Sequence, residues 1–523
     1  MPPHTEVLPS APVPTTTHAT TAATTMASPK LDLANVAEVV PGRLYYATSS
    51  RAPSYGMEVV EPSGVVTHLF STDHSLVYWN FWLDFGPLNL GQLYRFMEAL
   101  DNKLATVKAD RVVYYSAAAG QRQANSVFLM ASYAMLRLGR TPEDALAPFA
   151  HVKLPPFHDA TQGPCTYRLT VLDCLRGMHR SRELGFLDLD AFDVEEYEHF
   201  EKVESGDLSW VFPGRFLAFA GPHDVKSDDE TYPTCVPEDY HEYFLARNVR
   251  TVIRLNKRYY DENRFRAAGI AHEDLYYPDG SCPSDAILNR FIEMCEARAD
   301  HAIAVHCKAG LGRTGTCIGA FAMKHWGYTA AEVIGWLRVA RPGSVIGPQQ
   351  FYLEAIEPRM HAEGQRMRAA ALASPPLPAA PTPAPPPLPP SARELPATSR
   401  GGKRHEPSFP IKSLASSVGS ASSGGTASSL TSADDGDEEQ LEAAGAGTQG
   451  DFLLMAKVNS PGAPRTRHSL RGAADAPSTP PPAAPSGSAS GGAPPPGSTT
   501  PSFSALRSVA RKLYAGSSKG TTA

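Results

Sequence analysis

Two stretches of this chain overlay without a gap: "VVYYSAAAGQRQANSVFLMASYAML" from Val112 and "AIAVHCKAGLGRTGTCIGAFAMKHW" from Ala302. Each is an apolar β-rich run, a turn and a helical pattern. Upstream of them "FWLDFGPLNLGQLYRFMEAL" and "YYPDGSCPSDAILNRFIEMC" overlay in the same order, sharing an aspartate (Asp84 and Asp279) and the pair Arg-Phe. Two overlays in one order point to a duplicated unit. A short β-run feeding a helix is the local pattern of α/β architecture. We therefore expect an α/β chain with two tandem domains of similar size, at 32–186 and 211–368. The acidic stretch "FDVEEYEHFEKVESGDLSW" between them reads as a linker helix within 187–210.

The rest of the chain reads differently. Residues 1–31 are rich in Thr, Pro and Ala, and from 369 to 523 the periodicity is lost. There "ASPPLPAAPTPAPPPLPPSA" reads as extended polyproline, followed by Ser/Gly tracts and the acidic "ADDGDEEQLE". Both ends are expected to be disordered, having little to bury. One exception is "FSALRSVARKLYAG", Phe503 to Gly516, which fits a short basic amphipathic helix. The net charge of −6 gives no sign of nucleic-acid binding. Seven cysteines without a Cys-x-x-Cys pair argue against a disulfide framework or a zinc site. No run has the length of a membrane span, and the N-terminus lacks a signal peptide's features. The expectation is a soluble intracellular protein with neither nucleic acid nor membrane as partner.

The segment after Val305 suits neither strand nor helix. Gly310, Gly312 and Gly315 allow a tight turn that gathers N–H groups, with Cys307 opening it and Arg313 six residues later. Such a turn receives an anion. Cleaving a phosphate ester without metal needs an ionised nucleophile, donors for three equatorial oxygens and an acid for the leaving group. A cysteine at the head of such a turn and of a helix is favoured as thiolate, which makes Cys307 the nucleophile. The N–H groups of Lys308, Ala309, Gly310, Leu311, Gly312 and Arg313 would hold the oxygens. The Arg313 guanidinium can grip two of them at once. Thr314 is expected to hydrogen-bond the sulfur, and His306 to orient the loop without carrying protons. Asp279, in a Pro-Asp-Gly turn after a β-rich run, is the candidate acid. Asp285 is expected to cap the next helix. Gln349 and Gln350, after a Gly-Pro turn, are candidates to position the hydrolytic water. "GLGRTG" lacks the Gly-Lys-Ser/Thr of a nucleotide-binding loop. No metal and no cofactor are expected.

"AIAVHCKAGLGRTGT", "PDGSCPSD", "RPGSVIGPQQ", "DFGPLNLGQLYRF", "TYRLTVLDCLRGM" and the linker "FDVEEYEHFEKVESGDLSWVFPGRFLAFAGPH" resemble the cell-division-cycle-fourteen family of dual-specificity protein phosphatases. The likeness runs from about Arg43 to Glu357. It implies two tandem dual-specificity-phosphatase-like domains joined by a linker helix, only the second being catalytic. By motif, Cys307 is then the nucleophile, Arg313 the phosphate clamp and Asp279 the general acid, with a phospho-cysteine intermediate. The implied substrates are proteins phosphorylated by cyclin-dependent kinases, chiefly at phosphoserine-proline followed by a basic residue, with phosphothreonine-proline and phosphotyrosine also accepted. The implied setting is mitotic exit, in nucleus and cytoplasm, with nucleolus, centrosome or basal body and spindle as further sites. Tail residues Ser374, Ser460, Thr479 and Thr500 each precede a proline, and we expect kinases or regulatory partners to act there.

On the same reading the first domain is a retired copy kept for recognition. Shifted by one residue from that overlay, with the strands set in register, Ser116 falls under Cys307 and Arg122 under Arg313, while most of the turn's glycines are missing. Glu198 and Glu201 are expected to help form an acidic groove for the substrate's basic residue. Two alternatives compete with a protein phosphatase. A phosphoinositide phosphatase related to tensin would carry a second lysine where this chain has Leu311. A catalytically inactive phosphoprotein-binding scaffold would not need Cys307, Arg313 and Asp279 together.

Overall fold

The computed structural model describes residues 36–373, apart from 51–57, 61–65, 82, 109, 162–164 and 228–232, together with residues 448–459. The N-terminal segment, the Ser-Pro and Thr-Pro positions of the tail and the Phe503 to Gly516 pattern lie outside the described residues.

The first sheet contains β1 (Ala37–Val40), β2 (Leu44–Ser49), β3 (Glu58–Val60), β4 (Val66–Phe70) and β5 (Arg111–Ala117), in the order β1-β2-β5-β4-β3. Its helices are α1 (Leu90–Thr106), α2 (Gly120–Leu136), α3 (Pro142–Leu146) and α4 (Val171–Glu183). Next comes α5 (Val194–Phe200). The second sheet contains β6 (Leu208–Phe212), β7 (Phe216–Phe219), β8 (Val249–Arg254), β9 (Ala271–Asp274) and β10 (Ala302–His306), in the order β6-β7-β10-β8-β9. Around it lie α6 (Glu238–Ala246), α7 (Asn263–Ala267), α8 (Asp285–Glu296), α9 (Gly312–Trp326), α10 (Ala330–Ala340) and α11 (Pro348–Ala373). The tail contributes α12 (Gln449–Asn459).

The two sheets share one topology. In each, an antiparallel pair (β1/β2, β6/β7) is followed by a parallel central strand (β5, β10) and another parallel strand (β4, β8). They differ at the far edge, where β3 is antiparallel to β4 and β9 parallel to β8. The central strand β10, Ala-Ile-Ala-Val-His, is buried at every residue, as an apolar run covered on both faces must be. The copies also differ where chemistry is expected. Five residues, Cys307 to Leu311, separate β10 from α9, but only Ala118 and Ala119 separate β5 from α2. The first copy therefore has no room for an anion loop.

The linker is shorter than its acidic pattern suggested. Only Val194–Phe200 is α-helical, capped by Asp193, whose side chain accepts from the Glu195 and Glu196 N–H groups. Gly206 turns the chain at φ +113°, and Leu208 already opens β6. Burial of Leu208, Val211 and Phe212 outweighs the charge pattern there. At the other boundary, α11 continues past 368 to Ala373. The domains do not hang on the linker alone, because one hydrophobic core runs through both, from Phe96 and Phe128 to Phe216 and Leu337. Helices α4 and α10 cross backbone to backbone. A Cβ on Gly177 would lie 2.2 Å from the Glu332 carbonyl oxygen, and one on Gly335 would lie 2.8 Å from the Cys174 Cα. Among the described residues no helix is long and apolar enough to cross a membrane.

Candidate active site

The loop Cys307–Leu311 is shaped from outside by its carbonyls. His306 Nδ1–H donates to the Cys307 oxygen at 3.0 Å, and the Gly221 N–H to the Lys308 oxygen at 2.9 Å. Arg341 donates to the Ala309 and Gly310 oxygens at 3.1 and 2.8 Å. The Gly315 N–H reaches the Leu311 oxygen at 3.0 Å. In a planar trans peptide the N–H points opposite to its carbonyl. Carbonyls held outward therefore turn the following N–H groups inward, into a nest for an anion. Two glycines make this possible. Gly310 has φ +65°, and a Cβ there would lie 1.9 Å from the Phe219 oxygen. A Cβ on Gly221 would lie 2.5 Å from the Cys307 oxygen.

His306 is fully buried, and burial pushes its imidazole well below the usual range, so it is neutral at physiological pH. With its Nδ1 proton on the Cys307 carbonyl, Nε2 accepts from the Tyr260 hydroxyl at 2.7 Å. That hydroxyl oxygen accepts in turn from His272 Nε2–H at 2.8 Å. Burial pushes His272 down to about 4. The whole relay is uncharged and fixes the loop's first peptide.

Arg313 is buried and is aimed by backbone, its Nη1 donating to the Tyr277 oxygen at 2.8 Å. Its Nη2 lies 3.1 Å from Asp279 Oδ1, which joins the sequence-predicted acid to the loop. The Thr314 hydroxyl is buried and has no hydrogen-bond partner among the described residues. Gln349 lies against the loop, where a Cβ on Gly312 would come within 2.8 Å of its Oε1. It accepts from the Ile346 N–H and donates to the Ser281 oxygen. Gln350 does not reach the loop; it accepts from Arg338 at 2.6 Å. Asp285 is not the cap expected of it. Ser284 caps α8 by accepting from the Ile287 N–H, and Asp285 pairs with Arg359 at 2.9 Å.

The acidic pair of the linker divides. Glu198 is gripped through both oxygens by Arg95 of α1, at 3.0 and 2.9 Å. Glu201 accepts from Asn89 Nδ2 at 2.8 Å, and burial pushes its carboxyl up to about 7. Two residues missed in the sequence complete this corner. Asp207, with φ +46° and 2% exposed, pairs at 2.9 Å with Arg341, the residue that ties the loop carbonyls. The available signal was two arginines, Arg338 and Arg341, at the end of an apolar helix that had no reason to bury charge.

In the first copy Ser116 is fully buried, its hydroxyl 2.9 Å from that of Tyr46, and Arg122 is exposed. His158, Asp159 and Cys165 bring potential metal-ligand atoms within 4.8 Å of one another. All three are engaged within the protein: Asp159 accepts from the Gly347 N–H, His158 Nδ1–H donates to the Asp159 carbonyl, and the Cys165 thiol to that of Tyr167.

A family model described as dual specificity protein phosphatase, N-terminal half, matches residues 38–181. A second, described as polymorphic toxin system, DSP-PTPase phosphatase, matches residues 230–327. The chain is 48% identical over 342 residues to dual specificity protein phosphatase CDC14AB of Danio rerio, covering 64% of this chain and 54% of that one. It is 46% identical over 348 residues to CDC14A of Homo sapiens, covering 66% and 57%. Against CDC14C of Homo sapiens it is 47% identical over 305 residues, covering 58% and 68%. The chain spans little more than half the length of the first two relatives.

Proposed function

We propose, for a chain that belongs to the CDC14 family of dual specificity protein phosphatases, that it hydrolyses phosphate monoesters on proteins through a phospho-cysteine intermediate. The observation that carries this reading is the loop that opens with Cys307, has its carbonyls tied outward and closes on Arg313 beside Asp279. The Cys307 thiolate attacks phosphorus while the bond to the substrate oxygen breaks, and Asp279 gives that oxygen its proton. The loop N–H groups and Arg313 hold the three equatorial oxygens, whose charge grows in the transition state. Water then attacks phosphorus, its proton returns to Asp279, and the S–P bond breaks with the Thr314 hydroxyl supporting the departing sulfur.

We further propose phosphoserine-proline sites followed by a basic residue as substrates, with the basic side chain received by Glu201 and Asp207. Glu198, neutralised through both oxygens by Arg95, is left out of this role. Leu311 is buried against Ala160 and Ile346, so the loop's rim is apolar there, which suits a peptide better than a multiply charged inositol head group.

The test compares wild type and Cys307→Ser on an aryl phosphate, phosphoserine-proline peptides and phosphoinositide vesicles. Wild type should turn over the aryl phosphate and the peptides in preference to lipid. Cys307→Ser should lose turnover yet retain phosphopeptide binding, since the nest and Arg313 remain. Turnover surviving in Cys307→Ser would overturn the mechanism. A wild type that binds phosphopeptides without turnover would be a scaffold.

A further inference from the structure

Gln349 sits in the first turn of α11, and its amide is only half used. Its Oε1 accepts from the Ile346 N–H and its Nε2 donates to the Ser281 oxygen, both at 3.1 Å. Among the described residues that leaves an Nε2 hydrogen and an Oε1 lone pair. The amide stands against the anion loop, since a Cβ on Gly312 would lie 2.8 Å from its Oε1. A donor and an acceptor side by side can hold a water. Hydrolysis of phospho-cysteine needs that water; transfer of the phosphoryl group to Cys307 does not.

The segment that leads into Gln349 does not keep its shape unaided. Val345 has φ +60°, between Gly343 at +81° and Gly347 at +57°. A β-branched residue stays in that region only where its surroundings impose it. From the second domain, Arg338 ties the Ser344 and Val345 oxygens at 3.0 and 2.7 Å. The first domain grips both ends. Asp159 Oδ2 accepts from the Gly347 N–H at 2.6 Å, at the residue before α11. Phe81 closes on the other end, where a Cβ on Gly343 would lie 2.8 Å from its ring. Ala160 packs in one cluster with Ile346. Asp159 is 3% exposed, and neither its Oδ1 nor Arg338 Nη1 has a hydrogen-bond partner among the described residues. Both residues line one cavity of about 10 Å³, with room for about one water molecule.

We propose that Asp159 is a positioning residue for the second chemical step. From the first domain it fixes the start of α11 and so holds Gln349 where the hydrolytic water must stand, while a buried water links its other oxygen to Arg338. This rests on the phosphatase reading above. In that step the water oxygen bonds to phosphorus, the S–P electron pair returns to Cys307 and the water's proton passes to Asp279. The first step is insulated from Asp159. The nest's carbonyls are held by His306, Gly221, Arg341 and Gly315, and Asp159 hydrogen-bonds none of these.

The experiment compares the full chain as wild type, Asp159→Ala, Asp159→Asn and Phe81→Leu on an aryl phosphate with a good leaving group, so that hydrolysis of phospho-cysteine limits kcat. The ratio kcat/KM counts only the steps up to phospho-cysteine, whereas kcat also counts its hydrolysis. Asp159→Ala should lower kcat and KM together, each roughly tenfold, inside the roughly 10²-fold that a misplaced group can cost. Its kcat/KM and the rate of its initial burst should stay at wild-type values, and enzyme quenched during turnover should carry more phosphate. Asp159→Asn still offers an oxygen to the Gly347 N–H and should recover most of kcat. Phe81→Leu, at a half-buried residue, should shift kcat and KM the same way by less, and it decides alone should Asp159→Ala not fold. Variants that match wild type overturn the proposal. So does a kcat/KM that falls along with kcat, which would make Asp159 a prop of the fold alone. If wild type forms no phospho-cysteine and turns nothing over, the phosphatase reading fails and the proposal falls with it.

Discussion

Replacing Arg341 with methionine keeps most of the side chain's length and removes its guanidinium. Four contacts disappear: those to the Gly310 oxygen at 2.8 Å, the Ala309 oxygen at 3.1 Å, Ser209 Oγ at 3.2 Å and Asp207 at 2.9 Å. A hydrogen bond from a charged donor contributes roughly 1.5–3 kcal/mol. Removing one partner of a buried ion pair costs roughly 3–5 kcal/mol, because the other charge stays behind without water. These contributions overlap, since they share one desolvated guanidinium, and Lys457 still reaches Asp207. We expect a loss of about 4 kcal/mol, which lowers Tm by about 10 °C in a unit of this size. Asp207→Asn removes the stranded charge, so Arg341→Met/Asp207→Asn should recover about 2 kcal/mol. Thermal melts of the two single variants and the double variant close the cycle. Inhibition by vanadate, a phosphoryl mimic, reports on the loop in the same samples and should weaken most in Arg341→Met. If Arg341→Met melts within about 2 °C of wild type, or the two changes simply add, the loop is not held by this pair.

Glu201→Gln should lower kcat/KM for peptides with a downstream lysine about fivefold, on the order of 1 kcal/mol for a partly exposed pair, while leaving neutral peptides unchanged. Burial holds the folded-state carboxyl at about 7, above the ~4.3 of a free glutamate. Its stabilising contribution is therefore full below about pH 4 and lost as pH rises through 7. Melts of Glu201→Gln against wild type should show the variant more stable at pH 8 by up to ~2 kcal/mol and no more stable at pH 4. Gly177→Ala, far from Cys307 in sequence and in the other domain, should lower both Tm and kcat, because its methyl group collides with the Glu332 oxygen of α10. A normal kcat in a destabilised Gly177→Ala would mean that the domain contact serves stability alone.

The turn from Cys307 to Arg313 and the repeated sheet were legible because their signals are local. Cys307, the glycines and Arg313 lie within one turn, and a β-run feeding a helix reads the same wherever it packs. What escaped depends on partners distant in sequence. Arg341 meets Asp207 only after α10 folds across β6, and Glu198 is taken by Arg95 of α1. The choice of Ser284 over Asp285 as a cap turns on a backbone angle that composition does not encode. Helix α12 was missed for another reason. Isolated helices of its length are marginal in water, and "QGDFLLMAKVN" offers only Leu453 and Leu454 as a buried pair. Its stability comes from the surface it lies on, which no window of its own sequence reveals.

That dependence on distant partners gives the first domain a structural task. Its strands keep the order of the second sheet, but its turn has shrunk to Ala118 and Ala119, and the Ser116 hydroxyl is spent on Tyr46. It presents α4 to α10 so closely that glycine is required on both sides, at Gly177 and Gly335. Helix α10 carries Arg338, which holds the Ser344 and Val345 carbonyls, and is followed by Arg341, which holds those of Ala309 and Gly310. The α5 residue Tyr197 donates to the Ala340 carbonyl at the same helix end. The anion nest faces inward because its carbonyls are pulled outward, and the group that pulls two of them is set by a helix braced on the other copy. A copy whose own turn has shrunk to two residues thus braces the helix end that ties the loop of the other.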